Sequence, residues 1–156
     1  MYFIPIVAQV SGVITDVDLE RGSIRIYLPP TGDHTIYSPM SGDITSISSV
    51  KGRWKDKVFQ AWEDKIARVT VEIDKKIDFW VEVGKPLYIT DRIRISKQKN
   101  EHVEKGEEIG EVILGSLSEI HILDGMFQFE GNAKINQVVI GGKTELGRYV
   151  VYDTYR

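Results

Sequence analysis

The sequence contains no cysteine among its 156 residues. Disulfide bonds, thiolate metal sites and cysteine nucleophiles are therefore excluded. Histidine is also scarce: His34, His102 and His121 lie far apart, without the spacing typical of a metal site. We predict that the protein has no metal centre.

A large charge excess and a long apolar run are also missing. The net charge is only −3, whereas nucleic-acid binders usually carry a basic excess, so we expect no nucleic-acid partner. The apolar start, residues 1–10, is interrupted by Pro5 and Gln9 and falls short of the roughly 20 residues that a spanning helix needs. It also lacks the basic start and cleavage site of a signal peptide. We predict a first strand here, and a protein that is cytoplasmic or peripheral to a membrane.

Alternation of apolar and polar residues is the main pattern that is present. It is clearest at 23–28, 67–73, 92–96 and 119–122, and it is typical of half-buried strands. Turns containing glycine separate these segments. Apolar residues make up 42% and charged residues 28%, an ordinary balance for a folded domain. We predict one all-β domain over residues 1–156, built as a barrel or sandwich.

One segment has a helical period instead. Trp54, Val58, Trp62 and Ile66 recur at every fourth residue between positions 53 and 68, which predicts one short amphipathic helix covering the barrel. An alternative interpretation is a lipid-facing surface, because tryptophan beside lysine suits a membrane interface.

Internal repeats indicate a duplicated fold. Residues 6–17 and 36–47 share Ile, Ser, Gly, Ile and Thr at an offset of thirty, and 106–113 resembles 143–150 more weakly. Repeated strand–turn–strand units can close a duplicated barrel-sandwich of the lipoyl- or biotinyl-like hybrid kind. We therefore expect the first two segments to superpose. A carrier domain is not favoured, because neither repeat turn offers a lysine for modification.

Two longer motifs carry a family resemblance. Residues 26–42 read IYLPPTGDHTIYSPMSG, and residues 102–116 read HVEKGEEIGEVILGS. Both resemble segments of phosphatidylserine decarboxylases, in which a strand runs into a histidine loop and a later glycine–serine pair follows a Lys-Gly-Glu turn. His34 and the pair Gly115–Ser116 fall where the family pattern places them.

The resemblance implies a defined chemistry. In the family, the serine attacks the preceding carbonyl, the chain breaks, and the serine becomes an N-terminal pyruvoyl group that acts as an electron sink during loss of carbon dioxide. By this resemblance Ser116 would be the pyruvoyl precursor, and Gly115 would let the hydroxyl approach because it lacks a Cβ. His34 would be an acid–base group, whereas Arg68 and Tyr37 would contact the substrate. An amino-phospholipid or a membrane surface would be the partner.

Three departures from the family pattern favour a second hypothesis. Ser11 stands where the family has an aspartate that acts through histidine on the self-cleaving serine, and Tyr37 replaces a second histidine present in many members. An Asn-Glu-Arg-like triplet of the family is Ile66-Ala67-Arg68 here, with only the arginine kept. Loss of such a carboxylate costs about 10⁴ in rate in triad enzymes. The alternative is a non-catalytic descendant, a structural or interaction module with protein partners or as a homo-oligomer, in a larger assembly such as a viral particle.

Four further expectations follow. His34 and Ser116 should approach each other in one cleft. The chain should stay whole at the glycine–serine pair. Asp33 could replace the lost carboxylate only if its loop bends, because neighbouring side chains on a strand point to opposite faces. We expect His102 and His121 to be structural.

Overall fold

The computed structural model describes residues 2–51, 67–83, 93–113, 116–123, 128–131 and 133–151. Within these ranges the chain forms fourteen strands and no helix, which confirms the all-β prediction. The helix predicted between positions 53 and 68 lies outside the described residues up to position 66, and its last two positions, Ala67 and Arg68, belong to strand β6. The strands are β1 (Tyr2–Val7), β2 (Gly12–Asp18), β3 (Ser23–Leu28), β4 (Thr35–Tyr37), β5 (Gly42–Lys51), β6 (Ala67–Ile73), β7 (Ile77–Val83), β8 (Ile93–Ile95), β9 (His102–Val103), β10 (Glu108–Val112), β11 (Ser116–Ile122), β12 (Gln128–Gly131), β13 (Val138–Val139) and β14 (Glu145–Val151).

The strands form three antiparallel sheets. The largest has the order β13-β2-β3-β11-β7-β6-β5-β9, and the others have the orders β1-β14-β12 and β4-β10-β8. Strand β11 therefore lies in the middle of the large sheet, between β3 and β7. The short strands β13 and β9 are its two edges.

The core is built from one face of each strand. Ile14 and Ile44 are both fully buried, as are Ile6 and Ile36, and each pair is related by the thirty-residue offset of the repeat. Alternate residues of a strand point to opposite faces, so these positions lie on the inward face in both halves. Burial of each such side chain stabilises the fold by about 1.5–3 kcal/mol.

Backbone hydrogen bonds show the same internal symmetry. The Val7 N–H donates to the Pro39 carbonyl at 3.0 Å, and thirty residues on, the Tyr37 N–H donates to the Gln9 carbonyl at 2.8 Å. Each repeat segment thus donates to the other through equivalent positions. The two segments are strand–turn–strand units, as the repeat predicts.

The symmetry extends to two later hairpins, in one of which β8 pairs with β10 and in the other β12 pairs with β14. The connections of these hairpins contain the short strands β9 and β13. The Asn100 N–H donates to the Ile44 carbonyl at 2.7 Å, and the Asn136 N–H donates to the Ile14 carbonyl at the same distance. Both asparagines have a positive φ, 75° and 74° respectively. An offset of thirty relates the isoleucines and an offset of 36 relates the asparagines, so each half of the fold has its own hairpin of the same form.

The described residues contain no helix long and apolar enough to cross a bilayer.

Candidate functional site

Ser116 begins the central strand β11. It pairs with Leu28, the last residue of β3, and it is only 6% exposed. Among the residues that the structure describes, its Oγ has no hydrogen-bond partner. Gly115 lies outside the described residues. The predicted nucleophile is therefore a buried hydroxyl with no described base in contact.

His34 lies in the loop between β3 and β4, beside the same end of β3. Its Nε2 is 3.2 Å from the carbonyl oxygen of Pro29, the residue after Leu28, and its own carbonyl accepts a hydrogen bond from the Val112 N–H at 2.9 Å. The topology thus brings His34 and Ser116 to one end of β3. Their side chains do not hydrogen-bond to each other, since the Ser116 Oγ has no described partner.

Asp33 precedes His34, and its carboxylate points to two other predicted site positions. Its Oδ2 accepts hydrogen bonds from the Tyr37 hydroxyl at 2.7 Å and from the Ser11 Oγ at 3.1 Å. Its Oδ1 accepts one from the Thr35 N–H at 3.0 Å. We call Ser11, Asp33 and Tyr37 the Asp33 cluster.

These contacts set the pKa values of the cluster. Partial burial opposes ionisation of Asp33, but the hydrogen bonds from the Thr35 backbone and from the Tyr37 and Ser11 side chains outweigh it and lower the Asp33 pKa. Burial, together with the hydrogen bond to the Asp33 carboxylate, raises the Tyr37 pKa. The cluster therefore holds an ionised carboxylate and a protonated phenol.

Ser11 also has a backbone partner. Its Oγ accepts a hydrogen bond from the Gly141 N–H at 2.8 Å. In the other half of the fold, the Ser41 Oγ accepts from the Lys105 N–H at 2.8 Å and donates to the Glu104 carboxylate at 3.3 Å. Ser11 and Ser41 therefore make equivalent contacts: each hydroxyl accepts a hydrogen bond from a turn N–H and donates one to a carboxylate.

The Tyr37 ring packs against a double-glycine turn. A Cβ at Gly141 would lie 2.6 Å from the ring atom Cδ2, and a Cβ at Gly142 would lie 2.9 Å from Cδ1. Gly142 also has a φ of +75°, which side chains with a Cβ rarely adopt. The missing side chains of this turn leave room for the ring, so Tyr37 is fixed at both its ring and its hydroxyl.

Arg68 lies on the other face of the large sheet. Its guanidinium carbon is 4.2 Å from the centroid of the Trp80 ring, and its Nη2 donates to the Glu82 carboxylate at 2.9 Å. Glu82 pairs with Leu117 across β11 and β7, and the half-exposed Leu117 points away from the face that carries Ser116. The structure does not bring Arg68 to the inward face of Ser116.

His121 lies on that outer face, between two carboxylates. Its Nδ1 is 2.7 Å from Asp78 and its Nε2 is 2.5 Å from Glu119, which also accepts from Arg25 at 2.7 Å. The Asp78 contact, with that of Glu119, raises the His121 pKa against the opposing effect of burial. His102 makes the same kind of bridge in a more exposed position. Both nitrogens of each ring face carboxylates, which suits a charged, surface-stabilising histidine.

The sequence did not predict the buried contact between Gln9 and Ser118. Gln9 is fully buried, and its Nε2 donates to the Ser118 Oγ at 3.0 Å, which itself donates to the Trp80 carbonyl at 2.7 Å. Ser118 is the next inward-facing residue after Ser116. A glutamine within an apolar run gives no signal of this contact.

Across the described ranges, no group of three or more His, Asp or Glu side chains is arranged to hold a metal ion.

These observations define an all-β domain of duplicated strand–turn–strand units, with a buried serine and a loop histidine at one end of a central strand pair. The comparison with family models specifies the class further: the model described as phosphatidylserine decarboxylase matches residues 12–147. The chain belongs to the phosphatidylserine decarboxylase family. That family is generally pyruvoyl-dependent. A search of curated proteins found no match.

The residues at this site fit a pyruvoyl precursor in one respect. A buried polar atom without a partner is uncommon and often marks strain or a reactive group, and the Ser116 Oγ is such an atom among the described residues. No residue that the structure describes hydrogen-bonds to this hydroxyl as a base, and the Nε2 of His34 contacts the Pro29 carbonyl.

Proposed function

We propose that this chain is a non-catalytic member of the phosphatidylserine decarboxylase family that stays unprocessed and serves as a structural or interaction module. The observation that carries the proposal is the Asp33 cluster. Ser11 and Tyr37, two of the positions that depart from the family pattern, are joined to each other through one carboxylate oxygen. These two departures thus belong to one hydrogen-bonded arrangement, which supports a structural use of the site.

The tautomer of His34 supports the same conclusion. A carbonyl oxygen only accepts hydrogen bonds, so contact with the Pro29 carbonyl requires a proton on Nε2. The lone pair of the neutral ring then lies on Nδ1, and no described hydrogen bond joins that nitrogen to the Ser116 Oγ. The carboxylate of the adjacent Asp33 is engaged by three other donors. Serine is a weak nucleophile without an oriented base.

A second candidate is an amino-phospholipid decarboxylase, and the unpartnered Ser116 Oγ favours it. In that case Ser116 would provide the pyruvoyl group, which supplies an electron sink when formed. His34 would have to leave Pro29 and turn its ring towards β11. This rotation would break the hydrogen bond between the His34 ring and the Pro29 carbonyl.

Intact-mass spectrometry of the purified chain tests the proposal. We expect one species at the full 17.7 kDa, unchanged after long incubation, for both the wild type and a Ser116→Ala control. Two fragments split between Gly115 and Ser116 in the wild type alone, with a blocked and hydroxylamine-reactive smaller fragment, would restore the decarboxylase.

A further inference from the structure

The connections of the two symmetric hairpins, residues 98–107 and 134–143, pair with the large sheet at equivalent positions. Strand β9 of the first connection pairs with β5 through two residues, and strand β13 of the second pairs with β2 through the two equivalent residues. One of these pairs is alike in both halves, a glycine of the sheet opposite a buried valine: Gly42 with Val103, and Gly12 with Val139. The two connections thus form the two opposite edges of one sheet in the same way.

The other pair differs in chemistry between the halves. At the β13 edge Val13 lies opposite Val138, whereas at the β9 edge Asp43 lies opposite His102. The aliphatic pair shows that this backbone forms without ionisable side chains. The fold itself therefore does not require an ionisable pair at the β9 edge.

His102 contacts carboxylates with both of its ring nitrogens. Its Nδ1 is 3.0 Å from the Asp43 Oδ1, and its Nε2 is 2.5 Å from the Glu104 Oε2. A carboxylate only accepts hydrogen bonds, and an imidazole carries a proton on both nitrogens only when it is charged. A neutral ring keeps one of the two bonds and turns a lone pair towards the other carboxylate. The two contacts therefore exist together only in the charged state.

The network continues from Glu104 into the turn before β10. The Glu104 Oε1 accepts a hydrogen bond from the Ser41 Oγ at 3.3 Å, and the Ser41 Oγ accepts one from the Lys105 N–H at 2.8 Å. One series of contacts thus joins β5, β9 and this turn. Loss of a bond at His102 weakens the attachment of the whole connection to the sheet.

The charged groups that surround His102 are mostly acidic. Asp74, in the turn between β6 and β7, accepts from the Asp43 N–H at 2.9 Å, and Glu107 interacts electrostatically with His102. The nearby lysines are either bonded to other carboxylates or exposed: Lys97 is bonded to Glu101 and Glu107, and Lys99 and Lys105 are exposed. No cation among the described groups takes the place of the imidazolium between its two carboxylates.

The direction of the pH effect follows from these contacts. The hydrogen bond to Asp43, followed by that to Glu104, raises the pKa of His102. A raised folded pKa contributes fully below the ordinary histidine pKa of about 6.5, and its contribution is lost as the pH rises through the raised value. The connection is therefore held most firmly at mildly acidic pH.

We propose that residues 98–107 form a pH-dependent clasp at the β9 edge of the large sheet, closed while His102 is charged and loosened when it is neutral. The clasp covers Ile44 of β5, whose N–H donates to the Glu101 carbonyl at 2.9 Å. Loosening uncovers this part of β5, and an uncovered strand edge is a template for pairing with another chain. The proposal does not depend on whether the chain cleaves itself.

Amide hydrogen exchange on the full chain tests the proposal, because the fold supplies an internal control. At the other edge the Ile14 N–H donates to the Gln137 carbonyl at 2.9 Å, in the position equivalent to Ile44. The pH dependence of the exchange chemistry is common to both amides and cancels in the ratio of their rates. We expect the exchange rate of Ile44 relative to Ile14 to rise about two- to fivefold between about pH 6 and about pH 9, the range of an exposed ion pair.

The key variant transplants the aliphatic pair, Asp43→Val with His102→Val, and should give the same ratio at both pH values. His121→Gln removes a histidine that lies between two other carboxylates. It is the matched control and should keep the wild-type rise. Glu104→Gln covers the case in which the transplant fails to fold. It should reduce the rise, because an amide can donate to the neutral ring.

A wild-type ratio that is the same at both pH values would overturn the proposal. A rise of full size in the folded transplant, or in Glu104→Gln, would do the same. So would a rise that His121→Gln abolishes, because the pH dependence would then belong to the His121 bridge.

Discussion

Ser11→Asp is the most informative single change, because it returns the family carboxylate to its position. In the present structure the Ser11 Oγ lies 3.1 Å from the Asp33 Oδ2. An aspartate at position 11 therefore places a second carboxylate oxygen about as close to Asp33. The hydrogen bond between them is replaced by repulsion, so we expect the variant to lose stability and to remain uncleaved.

The size of the loss follows from the distance and the exposure. Two unit charges about 4 Å apart interact by about 1 kcal/mol in bulk water and about 4 kcal/mol at the effective dielectric constant near a protein surface. The Ser11–Asp33 contact is exposed, which favours the lower half of this range. The bond from the Gly141 N–H can be kept by the new carboxylate. We therefore expect a destabilisation of about 2 kcal/mol at neutral pH.

The loss should depend on pH. Like charges this close raise the pKa of one carboxyl, and a group that is harder to ionise in the folded state destabilises the fold only when it is ionised. The penalty is therefore absent below the ordinary carboxyl pKa and grows as the pH rises through the raised value. Urea unfolding at about pH 4 and about pH 8 measures the difference.

A double-mutant cycle isolates the repulsion. Asp33→Asn in the Ser11→Asp background removes one charge and should recover most of the stability, so that the two changes are strongly non-additive. Asp16→Asn, an exposed aspartate further along β2, is the matched control and should give no recovery. A Ser11→Asp protein as stable as the wild type at pH 8, with no effect of the second change, would refute this account of the cluster.

Two further predictions concern strand β11. Ser116→Ala removes a buried hydroxyl that has no partner among the described residues and should stabilise the fold by about 1 kcal/mol. Ser118→Ala breaks two hydrogen bonds and should destabilise the fold by about 1–3 kcal/mol in urea unfolding. Equal effects of the two substitutions would contradict the assigned contacts. His121→Gln should reduce stability most below the ordinary histidine pKa of about 6.5, because a raised folded pKa contributes fully there and its contribution is lost as the pH rises through that raised value. Unfolding at about pH 6 and about pH 9 tests this, and a gap that widens with pH would argue against the bridge to Asp78 and Glu119.

The local pattern of apolar and polar residues was sufficient to predict much of the fold. The alternating segments 23–28 and 67–73 coincide with β3 and β6 at both ends, because alternation depends only on which neighbours face the core. Likewise the thirty-residue repeat was visible in the sequence itself, and its core isoleucines occupy equivalent buried positions. The family resemblance was also recognisable, because its motifs are contiguous in the chain and are matched over residues 12–147.

The arrangement of the site was decided by the tertiary structure. The alternation rule for strands argued against a role for Asp33 beside His34, but both residues lie in a loop where that rule does not hold. Asp33 meets Ser11 only because β2 and β3 are paired, and Ser11 meets Gly141 across 130 positions of sequence. Similarly, the equivalence of the two hairpins appeared only in their backbone bonds, since their exposed residues share little chemistry. Contacts of this kind depend on how distant strands close the sheets, and no local periodicity of the sequence encodes that closure.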